Sequence, residues 1–139
     1  MEIRPYEMIE RLPTVLEHKT LWEAVGWGSI NIDMTEASIA NSVYGVVVTS
    51  DGSVIGMGRI VGDGAMYYYI QDVAVLPEYQ NMGIGKQIID MLLKHIHDHC
   101  SGAAFVGLFA SQGRDKFYEL FGFKDYSPKM TGMFLVMDK

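Results

Sequence analysis

The sequence predicts a mixed α/β fold in one domain spanning residues 1–139. The expected architecture is a mostly antiparallel sheet flanked by helices on both faces, with one central parallel strand–helix–strand unit. Three observations predict it. Two β-rich runs flank Ser50-Asp51-Gly52-Ser53, which is hairpin turn chemistry. A β-branched and aromatic run, Tyr67 to Val75, ends at Pro77, and a helical period begins after it at Gly83. A further apolar run, Ala103 to Ser111, follows that helix, and strand–helix–strand in one sheet is a parallel crossover.

Taken in order, Glu2 to Tyr6 reads as a short edge strand, because Pro5 suits an edge. Leu12 to Trp27 reads as a helix with Val15, Leu16, the stem of Lys19, Trp22 and Val25 or Trp27 near one face. Asn31 to Ser42 holds a short helix with Asp33 or Thr35 as its N-cap, Ile39 inside it, and Asn41 and Ser42 closing it. After the hairpin, a turn at Asp63-Gly64 leads into Tyr67–Val75. This run is apolar on both faces apart from Gln71 and Asp72, as a central strand would be. From Gly83 onward, Ile84, Ile88, Met91, Leu92 and Ile96 recur at helical spacing, with Gly102 marking the end. Ala103 to Ser111 is expected as a buried strand, and Gly113 to Phe123 as a short helix stopped by Gly122. Phe123–Tyr126 and Thr131–Lys139 are expected as two closing strands.

Composition narrows the function classes. The net charge is −6 and the sequence pI about 5.1, so no basic stripe is available to neutralise phosphates and nucleic acid is a poor partner. Cys100 is the single cysteine, which excludes an intramolecular disulfide and argues against a cysteine zinc site. The first residues carry Glu2, Arg4, Glu7, Glu10 and Arg11 and have no apolar signal core, and no apolar stretch is long enough to span a bilayer. A cytoplasmic protein without membrane contact is the expectation. His95, His97 and His99 suggest a metal, but on a helix His97 points away from the other two, and histidines suit a helix C-terminus electrostatically. No metal is expected.

The chemistry gathers at Leu76–Ile96. A helix N-terminus carries unsatisfied N–H groups and partial positive charge, a ready anion site. Gly83 and Gly85 remove the side chains that would hold a pyrophosphate away. The string lacks GxxxxGK[ST], and Gly83-Ile84-Gly85 lacks the third glycine of a dinucleotide turn. What remains is Gln-x-x-Gly-x-Gly, at Gln80, Gly83 and Gly85.

With that string the sequence resembles the GNAT superfamily of acyl-CoA-dependent N-acyltransferases. Asp72–Ile89 is similar to the superfamily's pyrophosphate-binding motif with its preceding strand. Phe117–Phe123 is similar to its C-terminal motif. The likeness is close from Tyr67 to Phe123 and holds in element order before that. It implies that the backbone of Asn81, Met82, Gly83, Ile84, Gly85 and Lys86 holds the pyrophosphate of acetyl-CoA, with Gln80 at the mouth of the loop. It implies that Val73, Ala74 and Val75 pair with the pantetheine amides like an added strand. Ser111 stands where the family commonly has asparagine, and Arg114 where a small residue is common. Tyr118 matches the family's frequent proton donor and would lie near the cofactor sulfur. Trp22 and Trp27 fall in the helical region that, by resemblance, covers the acceptor.

Acyl transfer to an amine needs a neutral amine, a stabilised oxyanion and a protonated leaving thiolate. An N–H near Val73 is the candidate oxyanion contact, and Tyr118 the candidate acid. Asp72 is the one carboxylate on the central run. It either takes the amine proton or holds a cationic acceptor, or it is a buried carboxylate paired with a neighbour such as Arg59. Tyr69 and Gln71 are placed at the acceptor site. On an ideal strand Tyr67, Tyr69, Gln71, Val73 and Val75 share one face and Asp72 lies on the other, unless a bulge shifts the parity. The expected function is transfer of the acetyl group of acetyl-CoA to a primary amine of a small molecule. A protein or peptide amine is the alternative acceptor, and a non-catalytic acyl-CoA-binding module the alternative class. A homodimer is expected from the strands near the C-terminus.

Overall fold

The computed structural model describes residues 5–138. They form two compact units: one reaches to Gly107 and holds the sheet, and the other starts at Leu108 and holds one short helix. The first unit runs β1 (Glu7–Ile9), α1 (Val15–Ala24), α2 (Ile32–Ala40), β2 (Tyr44–Ser50), β3 (Ser53–Gly62), β4 (Tyr67–Val75), a single 3-10 turn (Pro77–Tyr79), α3 (Ile84–His99) and β5 (Phe105–Gly107). The sheet keeps chain order, β1-β2-β3-β4-β5. It is antiparallel except for β4 and β5, which are parallel across α3. This is the mixed, mostly antiparallel α/β fold that the sequence predicts. The predicted first strand begins among residues outside the described ones, and the observed β1 starts at Glu7.

Local chemistry accounts for the element ends. Thr14 caps α1 in a capping box: the Glu17 N–H donates to Thr14 Oγ1 at 3.1 Å, and the Thr14 N–H donates to Glu17 Oε1 at 2.9 Å. Asn31, rather than Asp33 or Thr35, caps α2, its Oδ1 accepting from the Met34 N–H at 3.0 Å. The β2–β3 turn has Asp51 at φ 51° and Gly52 at φ 78°, the two left-handed positions a tight hairpin needs.

Helices cover both faces of the sheet. On one face Leu21 of α1 packs with Met57 and Ala74. The other face takes α3, and there Gly58 leaves no room: a Cβ on it would stand 2.5 Å from Ile88 Cγ2 and 3.3 Å from Leu92 Cδ1. Ile84, Ile88, Ile89, Leu92 and Ile96 are the buried stripe of α3. Each such side chain contributes on the order of 1.5–3 kcal/mol by burial.

Four expectations are corrected. The buried face of α1 is His18 and Leu21, while Leu16 is 71% exposed. A charged partner on the sheet, described below, draws His18 inward. β4 is internal but second from the end of the sheet, not at its centre. β5 is only three residues long, and Phe105 is 58% exposed, so Ala103–Ser111 is not a long buried strand. Neither closing strand forms among the described residues of the second unit, whose one regular element is α4 (Asp115–Glu119). Met133, Phe134, Leu135, Val136 and Met137 are 74–86% exposed. Their composition favours a strand, but a strand exists only where neighbouring N–H and C=O groups pair with it.

Candidate active site

The site begins with a defect in the sheet. Along β3 and β4 the register pairs Met57 with Ala74 and Arg59 with Gln71, so Gly58 is opposed by both Asp72 and Val73. This is a β-bulge, and Asp72 sits in it at φ 58°. Directly paired residues on neighbouring strands share a face. Gln71 therefore lies on the face of Arg59, and Ala74 on the face of Met57, which is the side of α1. The extra residue turns Asp72 to that same side, where it meets Arg59 and His18. Val73 points the other way, 3.5 Å from where a Cβ on Gly58 would lie. The ideal-strand parity is thus broken. Gln71 and Asp72 share a face that alternation would have split between them.

Asp72 is the anchor of a buried network. Its Oδ2 accepts from Arg59 Nε at 2.5 Å and from His18 Nε2 at 3.0 Å. Arg59 Nη1 donates to the Ser38 carbonyl at 3.1 Å and to Ser42 Oγ at 2.9 Å, and Nη2 donates to Ser38 Oγ at 2.9 Å. The network thereby ties α1, α2, β3 and β4 together. Burial works to raise the Asp72 carboxyl. The hydrogen bonds from His18 and Arg59, with the charge of Arg59 and of a protonated His18, outweigh it and hold the carboxyl below its usual range. The Arg59 partnership weighed from the sequence is present. The His18 partnership lies 54 residues away in the chain, and no local pattern announces it.

Aromatic rings lead outward from this network. The His18 ring stacks on Trp22 with centroids 5.3 Å apart, and Trp27 meets Trp22 edge-on at 5.1 Å. Trp27 is 39% exposed, between Gly26 and Gly28 at φ 83° and 94°. Tyr69 is half-buried; burial pushes its phenol up, against a hydrogen bond with the Gln71 side chain that draws it down. The predicted acceptor residues Tyr69, Gln71 and Trp27 thus all belong to the first unit, with the two tryptophans bordering the network through His18.

The predicted cofactor residues form a continuous path on the same unit. β5 pairs with β4 only at Tyr67, Tyr68 and Tyr69. From Ile70 through Val73, Ala74 and Val75, β4 runs on with no strand of the described residues on that side. At its end the Gln80 side chain donates to the Val75 carbonyl at 3.0 Å, which closes the strand and shapes the turn. Asn81 at φ 65° and Gly83 at φ 83° then swing the chain into α3. No side chain caps α3. The first-turn amides of Ile84, Gly85 and Lys86 therefore face out of the helix end, a setting suited to an anion. Met82 is 38% exposed beside them. The Lys86 ammonium pairs with Asp90 at 3.1 Å on the surface. Space around Gly83 is open, with nothing within 4 Å of where a Cβ would stand. Its left-handed φ, rather than crowding, is what calls for glycine there.

The second unit holds the remaining predicted residues. Ser111 is exposed, and its carbonyl accepts from the Arg114 N–H at 2.9 Å in the turn that starts α4. Tyr118 is half-buried among aromatic rings, edge-on to Phe117 at 5.1 Å and to Phe123 at 6.1 Å. Burial raises its phenol, and Arg114 lowers it by less, so the hydroxyl stays protonated at neutral pH. Of the helical histidines, His95 stacks between Tyr44 and His99, with ring centroids 4.0 Å from each, and His97 is exposed beside Asp98. Among the described residues no group of three metal-ligating side chains is placed to hold an ion, and no helix is long and apolar enough to cross a membrane.

Comparison with known proteins agrees with this geometry. Residues 19–136 match the model of the acetyltransferase (GNAT) domain. An uncharacterized N-acetyltransferase ycf52-like protein of Prochlorococcus marinus is 32% identical over 109 residues, covering 76% of this chain and 59% of that protein. This chain therefore spans less than two thirds of that relative's length. Among solved structures, protein SA2161 of Staphylococcus aureus superposes with a TM-score of 0.89 at 28% identity, covering 96% of this chain and all (100%) of the other. A GNAT family acetyltransferase of Streptococcus pneumoniae superposes at 0.81 with 27% identity, covering 97% and 100%. The bulge at Asp72, the open β4 edge and the uncapped, glycine-led α3 all fall within the matched residues, and the chain belongs to the GNAT acetyltransferase family.

Proposed function

We propose that the protein transfers the acetyl group of acetyl-CoA to a primary amine of a small molecule. The observation that carries this reading is the unpaired edge of β4 beyond Tyr69, running into the uncapped N-terminus of α3. An extended pantetheine arm with two amides fits such an edge as a strand would. A pyrophosphate fits the amides of Ile84, Gly85 and Lys86. On the same strand lies the bulge, where Val73 carries the N–H assigned to the oxyanion. Tyr118, kept protonated by burial, is the proton source for the leaving thiolate. Tyr69, Gln71 and Trp27 are the acceptor-side residues. Exposed Met133–Met137 supports a homodimer, since a contiguous apolar run of this kind marks an interaction surface.

The reading is tested by calorimetry with CoA, acetyl-CoA and NAD, followed by a transfer screen against small amines and lysine peptides. Acetyl-CoA binds and raises the melting temperature by mass action, about 2.7 kcal/mol at a hundred times its dissociation constant. Acetyl transfer to a small amine is the expected outcome. Transfer to peptides alone moves the acceptor to protein amines. Binding without any transfer makes the protein an acyl-CoA-binding module. Tight NAD binding with no response to CoA overturns the reading.

A further inference from the structure

Two buried polar atoms on α1 have no hydrogen-bond partner among the described residues: His18 Nδ1 and Trp22 Nε1. They lie one helical turn apart on rings that stack at 5.3 Å and 24°. Leaving such groups unpaired costs on the order of 1–3 kcal/mol each, so their juxtaposition calls for an account. The tautomer follows from the network. Asp72, an ionised carboxylate, only accepts, so His18 Nε2 carries the hydrogen, and whenever the ring is neutral Nδ1 presents a lone pair. Trp22 Nε1 is a donor only. An unused acceptor and an unused donor side by side suit one neutral group that both donates and accepts. Water is such a group, and with two lone pairs it can accept from Trp22 and still relay a proton to His18. An ammonium ion is not, because it cannot accept from Trp22.

We propose that His18 Nδ1 is the proton acceptor for the amine substrate through one water held between it and the Trp22 indole N–H, with Asp72 fixing its tautomer. The proposal rests on the acetyltransferase reading above. Asp72, which precedes Val73 in the chain, holds His18 at 3.0 Å, so the imidazole is tied to the strand segment assigned to the oxyanion contact. The amine nitrogen attacks the carbonyl carbon and forms the C–N bond, and the π pair moves to oxygen. The amine's lone pair forms that bond, so one of its protons passes to a water between His18 and Trp22, and that water gives a proton to His18 Nδ1. Collapse of the oxyanion breaks the C–S bond, and the thiolate leaves and takes a proton. The charged groups that face His18 are Asp72 from β4 and, through it, Arg59 from β3. To the same network α2 and the residues after it contribute only the uncharged Ser38 and Ser42. An imidazolium formed here is compensated by Asp72, the arrangement a base in a buried site requires. Trp27, edge-on to Trp22 between two glycines of positive φ, covers the approach.

The test is the substitution His18→Gln, whose amide can still donate to Asp72 but is not basic. Kinetics use the amine with the fastest turnover in the transfer screen, with acetyl-CoA binding measured alongside. The expected result is unchanged acetyl-CoA affinity, a kcat/KM lower by about 10²–10⁴, and loss of the acidic inflection in its pH profile. Trp22→Phe keeps the stack and removes the N–H. It removes the donor that holds the relay water, and is expected to lower kcat several-fold and leave the inflection in place. A His18→Gln enzyme with the parent's inflection overturns the proposal while the acetyltransferase reading stands. Failure of the parent to bind acetyl-CoA would instead remove the reading beneath it. Should His18→Gln not fold, nitrogen-15 NMR of histidine in the parent protein decides. An Nε2–H tautomer whose Nδ1 resonance moves on adding acetyl-CoA and that amine supports the proposal, and the opposite tautomer, or an unmoved Nδ1, overturns it.

Discussion

Asp72 shows at single-residue scale how a site residue can be structural and functional together. Asp72→Asn removes the charge and leaves Arg59 buried without its counterion, which costs about 3–5 kcal/mol. Chemical denaturation of the parent and the variant measures it. The pH dependence has a definite sign. The folded pKa lies below the ordinary carboxyl value of about 3.9. The stability it confers is therefore whole above roughly pH 4 and is lost as the pH falls through the lower, folded pKa. Denaturation curves between about pH 2 and 6 should show a larger acid loss in the parent than in Asp72→Asn, which keeps only the contributions of other lowered carboxylates such as Glu17. At Gly83 the Cβ space is open and the φ of 83° is the constraint. Gly83→Val should therefore destabilise by roughly 1–2 kcal/mol through backbone strain, and should weaken acetyl-CoA by more than that in a calorimetric titration. At Tyr118 the ring packs against Phe117 and Phe123, and the hydroxyl is the proposed proton donor. Tyr118→Phe should lower kcat and kcat/KM together by about 10–10³ with acetyl-CoA affinity unchanged. An unchanged kcat would make Tyr118 a packing residue.

Elements explain why some of this is legible in the sequence and some is not. Short-range chemistry reads well: Asp51-Gly52 names its turn, and Gly83 with Ile84, Ile88, Leu92 and Ile96 names the start and the buried face of α3. The proposed cofactor path on β4 and α3 is therefore visible. A bulge is a property of two strands, and nothing within Tyr67–Val75 announces that Gly58 is opposed by two residues. That is why the facing of Asp72 cannot be read from its own strand, and why the apolar spacing of α1 points to the wrong face. His18 resembles a surface histidine until its partner is known. The closing strands fail for a related reason, since Thr131–Lys139 has strand composition and finds no ladder among the described residues. Helix α1 carries a prediction of its own. Thr14→Ala breaks the capping box and should cost about 1 kcal/mol. Because His18 lies in the next turn, the substitution should also lower turnover without touching acetyl-CoA binding, as steady-state kinetics beside a calorimetric titration would show.

At the scale of the molecule, the apolar run Met133–Met137 predicts self-association. Sedimentation analysis should find a dimer, and changing Phe134 and Val136 to serine should return the monomer, because burying such a run is what drives the contact. The close seat of α3 at Gly58 has a different consequence. A hydrogen atom where any other residue carries carbon lets the helix lie against the sheet, with Ile88 Cγ2 occupying the missing methyl's place. Gly58 is thus a spacer of the smallest gauge. It sets how far the leading amides of α3 stand from the open margin of β4, two surfaces that a single flexible ligand has to span at once. Widening that gap by one methyl group would leave every contact residue in place and yet detune the grip on the ligand. On the proposed binding mode, affinity for the acyl donor would therefore be adjustable through the packing of α3 on the sheet, at a glycine assigned no contact with the donor.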